Sequence, residues 1–315
     1  MKNLNKIIVL ALIFTLSNLK AQYDQLFTQY MFNETFINPA YVGSKDMMMA
    51  TLVHRQQWVN FPGRPITTSF SLHGPIQDEK MGLGLSVLNE KIGVLNRNLV
   101  YASYAYKLKT GDIGHLAFGL MGGIHNQVNK FSNLKTNDDG SVDPQLGQNS
   151  PSIITPNFGT GIYFNDSTFF AGLSIPRLID DRVSFNPNGD VVKTIKMNPA
   201  EFHYYITVGK IFKLDKDVKL KGMAMIKAVK NAPIQFDLTA NFLIKNMIWA
   251  GLSFRTNSSI AAIMGVQINP DFLVNYSYDY SVNSIRKYSQ GSHEIGLTYL
   301  FSYKKIKNLS IKTLF

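Results

Sequence analysis

From Ile234 to Lys245 the sequence reads IQFDLTANFLIK, and nearly every second residue is apolar. Ile234, Phe236, Leu238, Ala240, Phe242 and Ile244 fall on one side of an extended chain. Gln235, Asp237, Thr239, Asn241 and Lys245 fall on the other, with Leu243 as the exception. Side chains of a strand alternate between faces, so a period of two marks a β-strand with one wet and one greasy side. The greasy side faces either a protein core or lipid.

The pattern recurs along most of the chain. It predicts strands at 47–58, 65–74, 81–90, 98–109, 114–126, 156–165, 168–176, 200–212, 216–229, 233–245, 247–256, 259–268, 272–281 and 292–303. Most are near the length of roughly ten residues that a tilted strand needs to cross a bilayer. In 65–74, Ile66, Phe70 and Leu72 oppose Thr67, Ser69, Ser71 and His73. In 272–281, Phe272, Val274, Tyr276, Tyr278 and Tyr280 oppose Asn275, Ser277 and Asp279. A β-sandwich also alternates, so three further signs matter. The polar faces carry many Gly and Ser, which suits a crowded lumen. Tyr299, Phe301 and Tyr303 crowd a strand end, where aromatic girdles sit. Tight turns at Asn246 and Asn257–Ser258 alternate with long connections at 127–155, 177–199 and 282–291. The expectation is an all-β chain: a transmembrane antiparallel β-barrel of about 14 strands spanning 47–303.

Residues 1–21 read MKNLNKIIVLALIFTLSNLKA, with Lys2 and Lys6 before the apolar run Ile7–Leu16. This is the pattern of a cleaved secretory signal peptide, too short to span a bilayer. An exported barrel belongs in the cell outer membrane. The chain has no cysteine, which excludes disulfides, thiol catalysis and cysteine zinc sites. The formal charge is +11, and removal of Lys2, Lys6 and Lys20 leaves +8. Excess lysine suits acidic partners such as anionic lipopolysaccharide, or an acidic polypeptide, while export argues against nucleic acid. Residues 22–46 precede the first strand and carry Tyr30, Phe32, Phe36, Pro39 and Tyr41. So aromatic a segment is expected to pack in or beneath the barrel lumen. A short basic tail, 304–315, follows the last strand.

Signs of chemistry are few. His54, His73, His115, His125, His203 and His293 show no metal-binding helical spacing, and each reads as a polar-face strand residue. The run Asn137–Gly140 lacks the ligand positions of a calcium loop. Gly172-Leu173-Ser174 is followed by Ile175-Pro176, so it is no nucleophile elbow, and Gly82-Leu83-Gly84 lies within a strand rather than at a phosphate-binding turn. No catalytic residue, metal or cofactor is indicated. Lys219, Lys221 and Lys227 share one predicted lumen face, a basic stripe for acidic solutes or an acidic partner segment. The competing account is that Asp237 and Glu294 neutralise them from other lumen faces.

In order, QYMFNETFINPAYVGS (29–44), RQQWVNFPGRP (55–65), PNFGTGIYF (156–164), KAVKNAPIQFD (227–237), YSYDY (276–280) and GSHEIGLTY (291–299) resemble the PorP/SprF family of Bacteroidota outer-membrane proteins. The pieces are collinear over nearly the whole mature chain. Two features depart from it: Glu34, where a small or apolar residue is more usual, and the basic tail. The resemblance implies a non-enzymatic component of type IX secretion or gliding motility. Its partners would be that machinery and a cargo protein with a dedicated C-terminal domain. It points to Asn38, Pro39, Tyr41, Arg55, Trp58 and Pro62 as organising or partner-site residues. The other functional class is a porin or small-solute transporter with a lysine-lined lumen.

Overall fold

In the computed structural model, the stretch IQFDLTANFLIK becomes a strand, Gln235–Ile244, whose residues part to two sides. Asp237 and Asn241 are buried inside, and Leu238 is 55% exposed outside. The structure describes residues 27–76, 80–111, 114–131, 149–179, 183–185, 191–193, 197–230 and 232–301. The expected signal peptide and basic tail lie outside the described residues.

In chain order the strands are β1 (Met48–Gln56), β2 (Ile66–Ile76), β3 (Met81–Ile92), β4 (Leu95–Thr110), β5 (Gly114–Asn129), β6 (Ile153–Asn165), β7 (Phe169–Ile175), β8 (Val183–Phe185), β9 (Val191–Lys193), β10 (Tyr204–Lys213), β11 (Val218–Ala228), β12 (Gln235–Ile244), β13 (Ile248–Arg255), β14 (Ser259–Asn269), β15 (Phe272–Ser281) and β16 (Ser292–Phe301). All except β8 and β9 join one closed antiparallel barrel, in which each strand pairs with its chain neighbours and β7 pairs with β10. β16 closes the ring on β1, from Met48↔Phe301 to Gln56↔His293. Closure gives every strand two partners and leaves no open edge, the condition for β-structure in hydrocarbon. β8 and β9 form a separate ribbon within the expected loop 177–199. Three residues per strand are too few to show a period.

β1 begins and β16 ends at the same end of the barrel. The turns at that end are short, as at 245–247 and 270–271, while 130–152, 176–203 and 282–291 lie at the other. Short turns mark the periplasmic end of such barrels and long loops the outer end. Positive φ at Lys245, Asn246 and Asn257 confirms the expected tight turns. The outward side is a belt of exposed apolar side chains, with Leu120 at 64% and Leu252 at 63%. A water-soluble sandwich does not present such a belt, so lipid is what the greasy face meets.

Inside the ring lies the chain's own segment Phe27–Met47, which makes 3-10 turns at Tyr30–Phe32, Glu34–Phe36 and Pro39–Tyr41. The Phe27 carbonyl accepts from Arg255 Nη2 near the outer end (3.0 Å). The Gly43 carbonyl accepts from Lys107 Nζ near the periplasmic end (2.6 Å). The segment therefore runs the length of the lumen. Its aromatics join inward residues of the wall in one apolar core, with Phe32 edge-on to Trp249 at 5.2 Å. Leu243, the exception to alternation, faces inward and belongs to that core at 1% exposure. Small wall residues let the segment's backbone pass. A Cβ on Gly119 would overlap the Ala40 backbone, and one on Gly82 the Val42 carbonyl.

Folded protein in detergent is expected to resist cleavage between Tyr30 and Tyr41. Gly119→Leu should accelerate that cleavage about tenfold, because overpacking costs about 1–3 kcal/mol. Limited proteolysis read by mass spectrometry checks both.

Candidate functional site

The inward faces of β1, β16 and β15 bring an arginine and two carboxyl side chains together near the outer end. Arg55 and Glu294 are direct cross-strand partners, and Asp279 lies on the next strand. Arg55 Nη1 donates to Glu294 Oε2 at 2.9 Å, and Nη2 to Asp279 Oδ2 at 2.7 Å. The lumen segment completes the cluster. The N–H groups of Thr28 and Gln29 donate to the two Glu294 oxygens, each at 2.9 Å. The Thr28 hydroxyl donates to Asp279 Oδ2 at 2.6 Å and accepts from Arg55 Nη1 at 2.9 Å. Two carboxylates against one guanidinium would leave an excess negative charge, which these added donors help to stabilise. A second clamp stands on β12 and β13, where Arg255 Nε donates to Asp237 Oδ2 at 2.8 Å. Both clamps hold the first described residues of the segment.

The residues singled out by the family resemblance occupy three places. Asn38, Pro39 and Tyr41 lie deep in the lumen, all buried. The Asn38 carboxamide accepts from Ala40 N–H at 2.9 Å, starting the Pro39–Tyr41 turn, and donates to the Ile162 carbonyl at 3.0 Å. Tyr41 meets Tyr163 edge-on at 5.5 Å. Arg55 forms the outer clamp. Trp58 and Pro62 stand apart in the outer loop 57–65. There Trp58 takes a positive φ of 54°, donates its N–H to Ser292 Oγ at 3.1 Å and meets Phe61 edge-on at 6.3 Å. Positive φ in a bulky residue is strained and persists only where the surroundings fix it.

Lys219, Lys221 and Lys227 lie at the inward positions of β11, against the filled lumen. Lys219 Nζ donates to the Asn246 side chain at 3.0 Å near the periplasmic rim. Lys221 lies 5.1 Å above the Phe170 ring, and Lys227 lies 5.6 Å above the Tyr205 ring. Of the expected counter-charges, Asp237 makes an ion pair with Arg255 and Glu294 one with Arg55. Near Lys221 the acid is Glu34, beside a cavity of about 30 Å³ that Tyr41, Tyr163 and Lys221 also line. Lys45 and Tyr163 also stand near the Glu34 carboxyl. Thr28, Asp279 and Arg255 escaped sequence reasoning as site residues. For Asp279 and Arg255 a charged side chain on the inward parity of a strand end was the only signal, and Thr28, a neutral residue ahead of the first strand, gave none. His54 and His293 correct another expectation. Each sits among the outward positions of its strand, not on the polar lumen face. Among the described residues no three His, Asp or Glu side chains converge on a metal position.

Arg55→Met should lower the temperature at which the folded form loses its heat-modifiable gel mobility by on the order of 10 °C. It strands two buried carboxylates, and breaking a buried pair costs about 3–5 kcal/mol.

The fold resembles solved outer-membrane barrels. A Pseudomonas aeruginosa FadL homologue superposes with a TM-score of 0.50 at 10% identity, covering 87% of this chain and 94% of that one. The Acinetobacter baumannii outer membrane protein Omp33 gives 0.48 at 9% identity, covering 83% and 100%. At such identities the likeness concerns the fold alone. A search of curated proteins gives no match. The family model described as type IX secretion system membrane protein PorP/SprF matches residues 19–299, which include the lumen segment, both clamps and the barrel strands up to Tyr299 in β16. The chain belongs to the PorP/SprF family, the outer-membrane barrel components of type IX secretion.

Proposed function

We propose that this protein is a non-enzymatic, non-conducting barrel that supports secretion or surface attachment of specific cargo proteins with a dedicated C-terminal domain. One observation carries the reading: the chain's own Phe27–Met47 fills the lumen and is clamped at its outer end. A barrel so filled has no free bore for a solute. Its working surfaces are then its loops and its outer face, which suits a partner-binding role within the secretion machinery. The ordered outer loop with Trp58 and Pro62 is the first candidate surface for such a partner. Asn38, Pro39, Tyr41 and Arg55 act behind it, by seating the segment that keeps the barrel rigid. Export would proceed by cleavage after Ala21, leaving 22–46 ahead of the barrel.

A clean deletion, followed by comparison of the secreted and cell-surface proteomes, tests this. One cargo or a small group bearing the C-terminal domain should disappear from the surface, while other cargo persists. Unchanged export of every such cargo would defeat the proposal. The transporter reading makes the opposite prediction in planar bilayers, where steady conductance from the purified wild-type barrel would favour it.

A further inference from the structure

Seen from the membrane, one flank of the barrel is apolar from end to end. Along Phe236–Ile244 on β12, Ile248–Phe254 on β13 and Ile260–Ile268 on β14, every outward position holds an apolar residue. The flank made by β1 to β5 departs from this near its outer end. There a single cross-strand row reads His54, Thr68, Asn89, Asn98 and Asn126, each directly opposite the next in register. The row stops at both sides, because His54 also faces Ile295 and Asn126 faces Ile154. One step toward the periplasm the parallel row is wholly apolar: Leu52, Phe70, Val87, Val100 and Ile124. One step outward the row reads Gln56, Ile66, Lys91, Asn96 and Val128, in which Lys91 is exposed and has no ion pair among the described residues.

The polar row is ordered. Asn89 Nδ2 donates to Asn98 Oδ1 at 2.7 Å and to Asn96 Oδ1 at 3.0 Å. His54 Nδ1 and Thr68 Oγ1 share a hydrogen bond of 2.9 Å. These polar side chains follow one cross-strand row over five adjacent strands, and one step outward His293 on β16 faces Gln56 on β1. Read outward, the flank offers hydrocarbon contact, then amides and hydroxyl, then an ammonium. That order matches an amphiphile with an acyl chain, a hydroxyl-rich headgroup and an anionic group.

We propose that this row is a docking site for the phosphorylated sugar headgroup of an outer-leaflet glycolipid, with the acyl chain against the Leu52–Val87–Val100 row. Asn89, Asn98 and Asn126 meet the sugar, and Lys91 meets the phosphate. The proposal is independent of the secretion role.

Native mass spectrometry of the full-length folded barrel, titrated in parallel with diphosphorylated lipid A and with phosphatidylglycerol, tests it. The wild type should bind lipid A in preference. Lys91→Gln should weaken lipid A binding about fivefold, the effect of one cation at an anionic lipid surface. Asn89→Leu with Asn98→Leu should erase the preference for lipid A over phosphatidylglycerol. Lys287→Gln, in the outer loop away from this row, should change nothing. Equal binding of both lipids by the wild type, or lipid A binding unaltered by Lys91→Gln, overturns the proposal. So does a protein that co-purifies on this face in place of the lipid. Lys91 is exposed, so its variant carries the test even if the double asparagine variant does not fold.

Discussion

The buried cluster of Arg55, Asp279 and Glu294 joins two problems that a closed barrel has to solve. It lies across the seam where the first strand meets the last, because Arg55 is on β1 and its partners are on β16 and β15. It also holds the start of the lumen segment through Thr28 and Gln29. Ring closure and lumen filling therefore depend on the same charges. Such a cluster adds little as a net gain over well-packed apolar residues, since three charges must first lose their water. Its strength is asymmetry. Once the strands have set the three groups together, losing any member leaves the others buried and uncompensated. The cluster thereby penalises a shifted seam register or an absent segment more than it rewards the correct one.

Filling changes what the inner face must be. A water-filled lumen asks for polar residues throughout, and small Gly and Ser positions on the inner wall do occur. Toward the periplasmic end, however, Met49, Leu243, Trp249, Leu273 and Leu300 turn inward and are buried. They share one apolar core with Tyr30, Met31 and Phe32, in which Trp249 meets Phe32 edge-on. There the wall has two dry faces, lipid outside and packed protein inside. Strands buried on both faces lose the contrast that reveals a strand from sequence.

That loss explains what the sequence could and could not reveal. Alternation over Gln235–Ile244 was legible because Asp237, Thr239 and Asn241 face polar partners. Leu243 broke the pattern because it belongs to the buried apolar core that the wall shares with the lumen segment. The aromatic content of Tyr30, Phe32 and Tyr41 announced a buried segment, since so much apolar area does not stay in water. Arg55 stood out only through the family resemblance, and its charge partners depended on register across the seam. β8 and β9 were too short to show a period. Glu34 looked like a departure from the family pattern. In the fold it is the acid beside Lys221, left over once Asp237 and Glu294 are taken by arginines.

The two clamps also set how the lumen segment can move. Arg55 with Asp279 and Glu294 holds Thr28 and Gln29, while Arg255 with Asp237 holds Phe27. The residues are consecutive, so neither clamp can open fully while the other holds. Below them Asn38 is fixed to the β6 backbone, and Gly119 and Gly82 leave no room for the chain to slide sideways. A segment held this way has no low-cost partial displacement. Either it stays, or many buried polar groups lose their partners together. Graded passage of small solutes needs intermediate positions, and this arrangement penalises them. A rigid closed body presenting fixed loops and a fixed outer face is the state that the wall, the core and the clamps jointly stabilise.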